Sequence, residues 1–185
     1  MPIPQEFYSV FAGSLSLNGN GGRYFLSNNL THPKHTVKGQ NYDIGIITTA
    51  TEITFIPKRV GPIAYSNVET VIGTECVVTG WGNMGRNGGG KDPIYLQELH
   101  QRTLSNLECQ FRLEGVTQTD ICAFSRIGQG HCNGDSGGPL VDVRKQILIG
   151  IVSRARKCGF GLPDIYTRVS FFYSWIQGYL KAQVM

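Results

Sequence analysis

No CxxC pair occurs among the five cysteines at 76, 109, 122, 132 and 158, so the spacing of a zinc ribbon is absent. No apolar run reaches the length of a membrane-spanning helix. The net charge of +4 is spread along 185 residues. The densest basic stretch, Arg154, Arg156 and Lys157, is too short for a nucleic-acid footprint and no binding motif accompanies it. Internal repeats and linkers are missing as well. Met1-Pro2-Ile3-Pro4-Gln5-Glu6 offers neither the basic start nor the apolar core of a secretion signal. Yet cysteines spread singly through a loop-rich chain read as disulfide partners in an oxidising compartment. The sequon Asn29-Leu30-Thr31 agrees with that. Secretory cysteines without a secretion signal lead to the expectation that the natural N-terminus lies upstream of Met1. Five is odd, so at least one cysteine is free or has lost its partner.

Glycine is plentiful instead, at 24 of 185 residues, roughly twice the usual share. With many short β-branched runs, that favours an all-β protein with numerous turns. Strands are predicted over 10–17, 24–27, 42–49, 77–82, 96–104, 140–143, 147–152 and 165–169. The glycine-rich, charged stretch 83–93 reads as an exposed loop, and a short helix fits 105–111. At the end of the chain Phe172, Trp175, Ile176, Tyr179 and Leu180 fall at helical spacing behind Ser170, a plausible N-cap. Many short strands and one C-terminal helix make a β-barrel or a sandwich.

The strongest motif is Gly134-Asp135-Ser136-Gly137-Gly138-Pro139-Leu140, with Cys132 just before it. It sets a serine on a tight turn whose glycines let backbone N–H groups approach a reacting carbonyl unobstructed. Seven matching residues are too many for a chance Gly-Ser turn. The motif resembles the nucleophile signature of trypsin- and chymotrypsin-like serine proteases. The rest of the chain resembles that family in the correct order. His32-Pro33 followed by Asn41-Tyr42-Asp43-Ile44 resembles the segment of the catalytic aspartate. Val60-Gly61-Pro62-Ile63 resembles the connection between two barrels, and Thr79-Gly80-Trp81-Gly82 the start of the second. Ile149 to Ser153 and Pro163 to Val169 resemble the walls of the specificity pocket.

The resemblance implies an all-β, trypsin-like double β-barrel with a C-terminal α-helix. Residues 1–62 would be the remnant of an incomplete first barrel, and 63–185 the second barrel with its helix. It implies Ser136 as nucleophile, Asp43 as the carboxylate that orients a histidine, and the N–H groups of Gly134 and Ser136 as oxyanion hole. Disulfides would join Cys109 to Cys122 and Cys132 to Cys158, leaving Cys76 unpaired. Gly130 and His131 would form the base of the pocket, and Ser153, Ala155 and Asp164 its walls. Gly130 stands where trypsins keep an aspartate, which points to a chymotrypsin-like preference for large apolar side chains. Asp164, on the back wall, reads either as a negative charge placed near the pocket or as a partly solvated or internally bonded carboxylate. Arg154 and Ala155, in place of the usual Trp and Gly, would crowd the rim.

One part is missing. The family's histidine precedes its aspartate in an Ala-Ala-His-Cys-like motif, and nothing of that kind occurs here. The four histidines, His32, His35, His100 and His131, stand at other places, so the chain as written is expected to be inactive. An Ile- or Val-led N-terminus, whose amine would pair with Asp135, is absent too. An unpaired Asp135 would turn away and distort the oxyanion hole. The expected partners are protein or peptide substrates, without nucleic acid, membrane, metal or cofactor, for a monomer outside the cell. The alternative is a non-catalytic homologue that binds a protein through the former substrate cleft.

Overall fold

Tyr24, Leu26 and Leu30 alternate with exposed neighbours, and a strand that shows one face to a core follows from that spacing. In the computed structural model, which describes residues 8–36, 41–85 and 88–183, this strand is β2 (Gly22–Thr31). It pairs antiparallel with β1 (Ser9–Ala12) on one side and β3 (Gly45–Thr49) on the other. The expected strand over 10–17 stops at Ala12. Gly13 takes φ 89°, and the Ser14 hydroxyl donates to the Ser16 carbonyl and accepts its N–H, so a local turn replaces the ladder. The expected strand over 42–49 begins only at Gly45, because Tyr42 sits at φ 55° and its carbonyl accepts the Ile44 N–H. These strands belong to the first of two compact units, Met1–Pro62 and Ile63–Met185.

The second unit is a closed antiparallel barrel with one added strand. Its elements are β4 (Ala64–Tyr65), β5 (Glu75–Gly80), β6 (Gln97–Leu104), α1 (Asn106–Gln110), β7 (Asp120–Phe124), β8 (Pro139–Asp142), β9 (Ile147–Arg154), β10 (Asp164–Arg168) and α2 (Val169–Ala182). The strand order is β10-β7-β6-β5-β8-β9, and β9 pairs back to β10, which closes the ring. Short β4 lies parallel to β9. Cys76, Val78, Ile121, Ala123, Leu140, Ile149, Val152 and Tyr166 fill the interior. A Cβ on Gly150 would stand 3.0 Å from the Tyr166 side chain and 3.2 Å from those of Ile121 and Leu140. The barrel centre therefore has no room for a larger residue there.

Helix α1 starts with a capping box: the Ser105 hydroxyl accepts the Glu108 N–H, and the Glu108 carboxylate accepts the Ser105 N–H. Helix α2 starts one residue before the expected cap. Arg168, not Ser170, is its N-cap, and no side chain caps it. The Arg168 side chain is used elsewhere, donating through Nε and Nη2 to the Asp120 carbonyl. Strands β4 and β7 have no counterpart in the sequence reading. Disulfides join Cys109 to Cys122 and Cys132 to Cys158, and Cys76 is a buried free thiol. Its pKa is pushed up to about 12, chiefly by burial.

Candidate active site

Ser136 lies in the connection between β7 and β8, on a turn that the second unit fastens from several sides. Gly134 and Gly137 take φ 97° and 80°, conformations that favour glycine. Gly137 N–H donates to the Val152 carbonyl at 2.9 Å, Val152 N–H to the Gly138 carbonyl at 2.8 Å, and Gly138 N–H to the Asp135 carbonyl at 2.9 Å. The Cys132–Cys158 disulfide ties the turn to the loop between β9 and β10. Ser136 and Gly134 are exposed. Among the described residues the N–H groups of Gly134 and Ser136 donate to no protein acceptor. Two free donors beside an exposed hydroxyl can stabilise an oxyanion that forms on a bound carbonyl.

The Asp135 carboxylate is not left unpaired. Oδ1 accepts the Gly82 N–H at 2.8 Å and Oδ2 the Cys132 N–H at 2.9 Å. Its side chain fills the space where Cβ atoms on Gly80 and Gly82 would stand, and both would collide with it. The expectation that Asp135 turns away for want of a partner is thereby corrected, because two backbone amides hold its carboxylate by hydrogen bonds. Asp135 also lines a cavity of about 210 Å³, together with Val78, Gly82, Leu99 and His131. The His131 ring is buried and meets Tyr166 edge-on at 5.1 Å, and among the described residues its Nε2 has no hydrogen-bond partner.

Asp164 is internally bonded. It is 3% exposed, and its Oδ2 accepts both the Gln101 Nε2–H at 2.6 Å and the His131 N–H at 3.1 Å. Gln101 in turn accepts the Tyr166 hydroxyl at 2.5 Å. Burial foremost holds the Asp164 carboxyl above its ordinary pKa, against the nearby His131 and these hydrogen bonds, which lower it. A Cβ on Gly130 would lie 2.9 Å from Asp164 Oδ1, so the two positions share one space at the expected pocket base. Ser153 and Ala155 are half-buried at and just beyond the end of β9.

The Arg154 guanidinium does not crowd the rim as expected. It grips the Asp120 carboxylate with two 3.0 Å hydrogen bonds and the Gly115 carbonyl with a third of 3.0 Å. The Asp120 side chain is 3% exposed, so this is a largely buried fork-to-fork pair. Sequence reasoning missed Gln101 and Asp120 altogether. Gln101 had one signal, a polar side chain at an inward position of an alternating strand. Asp120 had none.

Asp43 is half-buried just ahead of β3, in the first unit. His32, also there, stacks on Tyr42 at 5.0 Å, and its Nδ1 accepts the Lys34 N–H. Burial first, then the Lys34 charge, lowers its pKa. His100 is exposed on β6 beside Glu98. Arg86 and Asn87, in the expected glycine-rich loop, lie outside the described residues.

A family model described as trypsin matches residues 5–176. Chymotrypsin-2 of Vespa crabro is 35% identical over 170 residues, which cover 91% of this chain and 76% of that protein. Trypsin II-P29 of Gallus gallus is 38% identical over 156 residues, 83% of this chain. The chain spans 61% of the length of that relative. Among solved structures, neuropsin, a serine protease expressed in the limbic system of mouse brain, superposes with a TM-score of 0.87 at 28% identity. That match covers 94% of this chain and 79% of neuropsin.

Proposed function

The chain belongs to the trypsin family, and from that premise we propose that it carries the nucleophile half of a serine endopeptidase. The observation that carries this is the exposed Ser136 hydroxyl beside two unengaged backbone donors, on a turn braced by Asp135 and a disulfide. In the family's reaction the serine oxygen bonds to the peptide carbonyl carbon, and the carbonyl electron pair moves onto its oxygen, where the Gly134 and Ser136 amides receive it. In the family a histidine takes the serine proton in that step and hands it to the amine as the C–N bond breaks, and water then releases the acyl group as an acid. Asp43 is the residue that would orient the base.

The 185 residues supply no such base. His100 is exposed on β6, His131 is buried against Tyr166, and neither His32 nor His35 stands in the family's histidine motif. Losing the histidine of such a triad costs on the order of a million-fold in turnover. The polypeptide as written therefore does not hydrolyse peptides. Gly130 at the pocket base, with Asp164 engaged by Gln101 and His131, supports a preference for large apolar side chains. The two disulfides support an extracellular protein. The second reading, a non-catalytic homologue that binds a protein partner in its cleft, draws on the same lack of a base.

Fluorophosphonate labelling separates these. The protein from its natural source should be labelled at Ser136, and the recombinant 185-residue chain should match a Ser136→Ala control. Rapid labelling of the 185-residue chain would overturn its proposed inactivity. An unlabelled natural protein would favour the partner-binding reading.

A further inference from the structure

Two loops of the second unit frame the expected pocket, 125–134 before the nucleophile and 155–163 between β9 and β10. They are stitched together by the Cys132–Cys158 disulfide and by the Gly128 N–H donating to the Gly159 carbonyl at 2.8 Å. Their charges are one-sided. Arg126, Arg156 and Lys157 lie on them, and neither loop contains a carboxylate. The acids that immediately follow, Asp135 and Asp164, point inward onto backbone amides and a glutamine. Arg154, at the end of β9, is neutralised by Asp120. Arg126, Arg156 and Lys157 are exposed, and among the described residues none of them has an ion-pair partner. Lys157 Nζ rests 5.2 Å from the centre of the Phe160 ring, which fixes one cation at the surface.

We propose that this rim is a cationic subsite, and that the cleft selects peptides with acidic residues beside the large apolar residue that enters the pocket. The inference rests on the peptide-cleft reading above and deepens it. Arg156 and Lys157 directly follow Ser153 and Ala155, expected above to wall the pocket, so the two cations stand at its rim. An extended peptide advances about 3.3 Å per residue, so side chains one to three positions from the pocket residue come within a Debye length of both cations. Basic neighbours meet repulsion at the same place, which gives discrimination in both directions.

The test is fluorescence anisotropy of the 185-residue chain with labelled peptides of one frame, Gly-Xaa-Xaa-Phe-Gly-Ser, where the variable pair is Glu-Glu, Gln-Gln or Lys-Lys. Two exposed charge pairs should make the Glu-Glu peptide bind about fivefold tighter than the Gln-Gln peptide at low salt, with Lys-Lys weakest. The advantage should vanish in an Arg156→Gln/Lys157→Gln double variant and shrink at about 0.5 M salt. Equal binding of the Glu-Glu and Gln-Gln peptides overturns the subsite and leaves the cleft standing. Survival of the advantage in the double variant also overturns the subsite. So does undiminished binding when Phe is replaced by Gly, since the attraction is then not tied to the pocket. If no peptide of the frame binds, the cleft reading and the subsite fall together.

Discussion

Removing the Asp135 carboxylate should destabilise the second unit by several kilocalories and loosen the serine turn. Asp135 holds two backbone N–H groups, from Gly82 and Cys132, at 2.8 and 2.9 Å. Hydrogen bonds to a charged acceptor contribute about 1.5–3 kcal/mol each. Their joint loss in Asp135→Ala is therefore about 3–6 kcal/mol, reduced to about 2–4 kcal/mol where water enters beside the half-buried position 135 and reaches the freed amides. For a chain of this length each kilocalorie moves the melting midpoint by about 2–4 °C, so Asp135→Ala should melt about 10 °C lower. Asp135→Asn keeps one acceptor and turns an amide donor toward the other N–H, so its loss should be intermediate. Both tryptophans, Trp81 and Trp175, belong to the unit that holds Asp135, so tryptophan fluorescence during thermal unfolding reports on it. Gly82→Ala puts a methyl group into the space of the carboxylate and should cost a comparable amount. Combined with Asp135→Ala, its cost should be far less than additive, because the obstructing group is gone. An Asp135→Ala chain melting within about 2 °C of the unmodified protein would refute the account of the turn.

Arg154→Ala removes the ion-pair partner of the nearly closed Asp120 carboxylate, leaving it the Thr117 N–H and hydroxyl, and should cost about 3 kcal/mol in urea unfolding; a cost under about 0.5 kcal/mol would show the pair to be slack. Asp164→Asn should gain on the unmodified chain as pH rises. Burial holds this carboxyl above its ordinary pKa, so its contribution is complete below about pH 4 and is lost as pH climbs through the raised value. Both hydrogen bonds land on Oδ2, so an asparagine oxygen placed there keeps them, and urea midpoints between pH 4 and 7 should diverge in that direction. The Cys76 thiol, fully buried with its pKa raised to about 12, should resist maleimide at pH 8 until urea unfolds the barrel. Labelling of the native chain at the unfolded rate would contradict that burial.

Elements governed by local chemistry were legible. The Ser105–Glu108 capping box marks α1, and the helical spacing from Phe172 to Leu180 marks α2. Long-range pairing was less so. Strand β7 reads Asp-Ile-Cys-Ala-Phe, with four of its five residues buried, so it has no alternation to announce it. Strand β4 is two residues long and exists only through its pairing with β9. The turn that carries Ser136 was legible because its glycines and serine are contiguous. The groups that hold it were not, since the partners of Asp135 include a backbone amide 53 residues away, and an amide leaves no mark on the sequence. Asp164 reads from sequence as a carboxylate at a pocket wall. Its binding by Gln101, 63 residues distant, depends on β6 and β10 bordering the same barrel interior.

The restraints on the Ser136 turn named here, the Gly82 and Cys132 amides, the Val152 carbonyl and the Cys158 sulfur, all come from Ile63–Met185. The Gly134 and Ser136 amides, proposed above as oxyanion donors, thus sit on a turn held by bonds inside one barrel. Such a turn can receive a carbonyl whether or not a base stands beside the serine. On the proposed reading, binding and turnover are separable properties: the amides, the pocket walls and the cationic rim would decide which peptide is held, and a base only whether it is cut. A chain that binds acidic, aromatic peptides without cleaving them is the expected behaviour of these 185 residues, and it is the behaviour from which either an endopeptidase or a partner-binding homologue would be built.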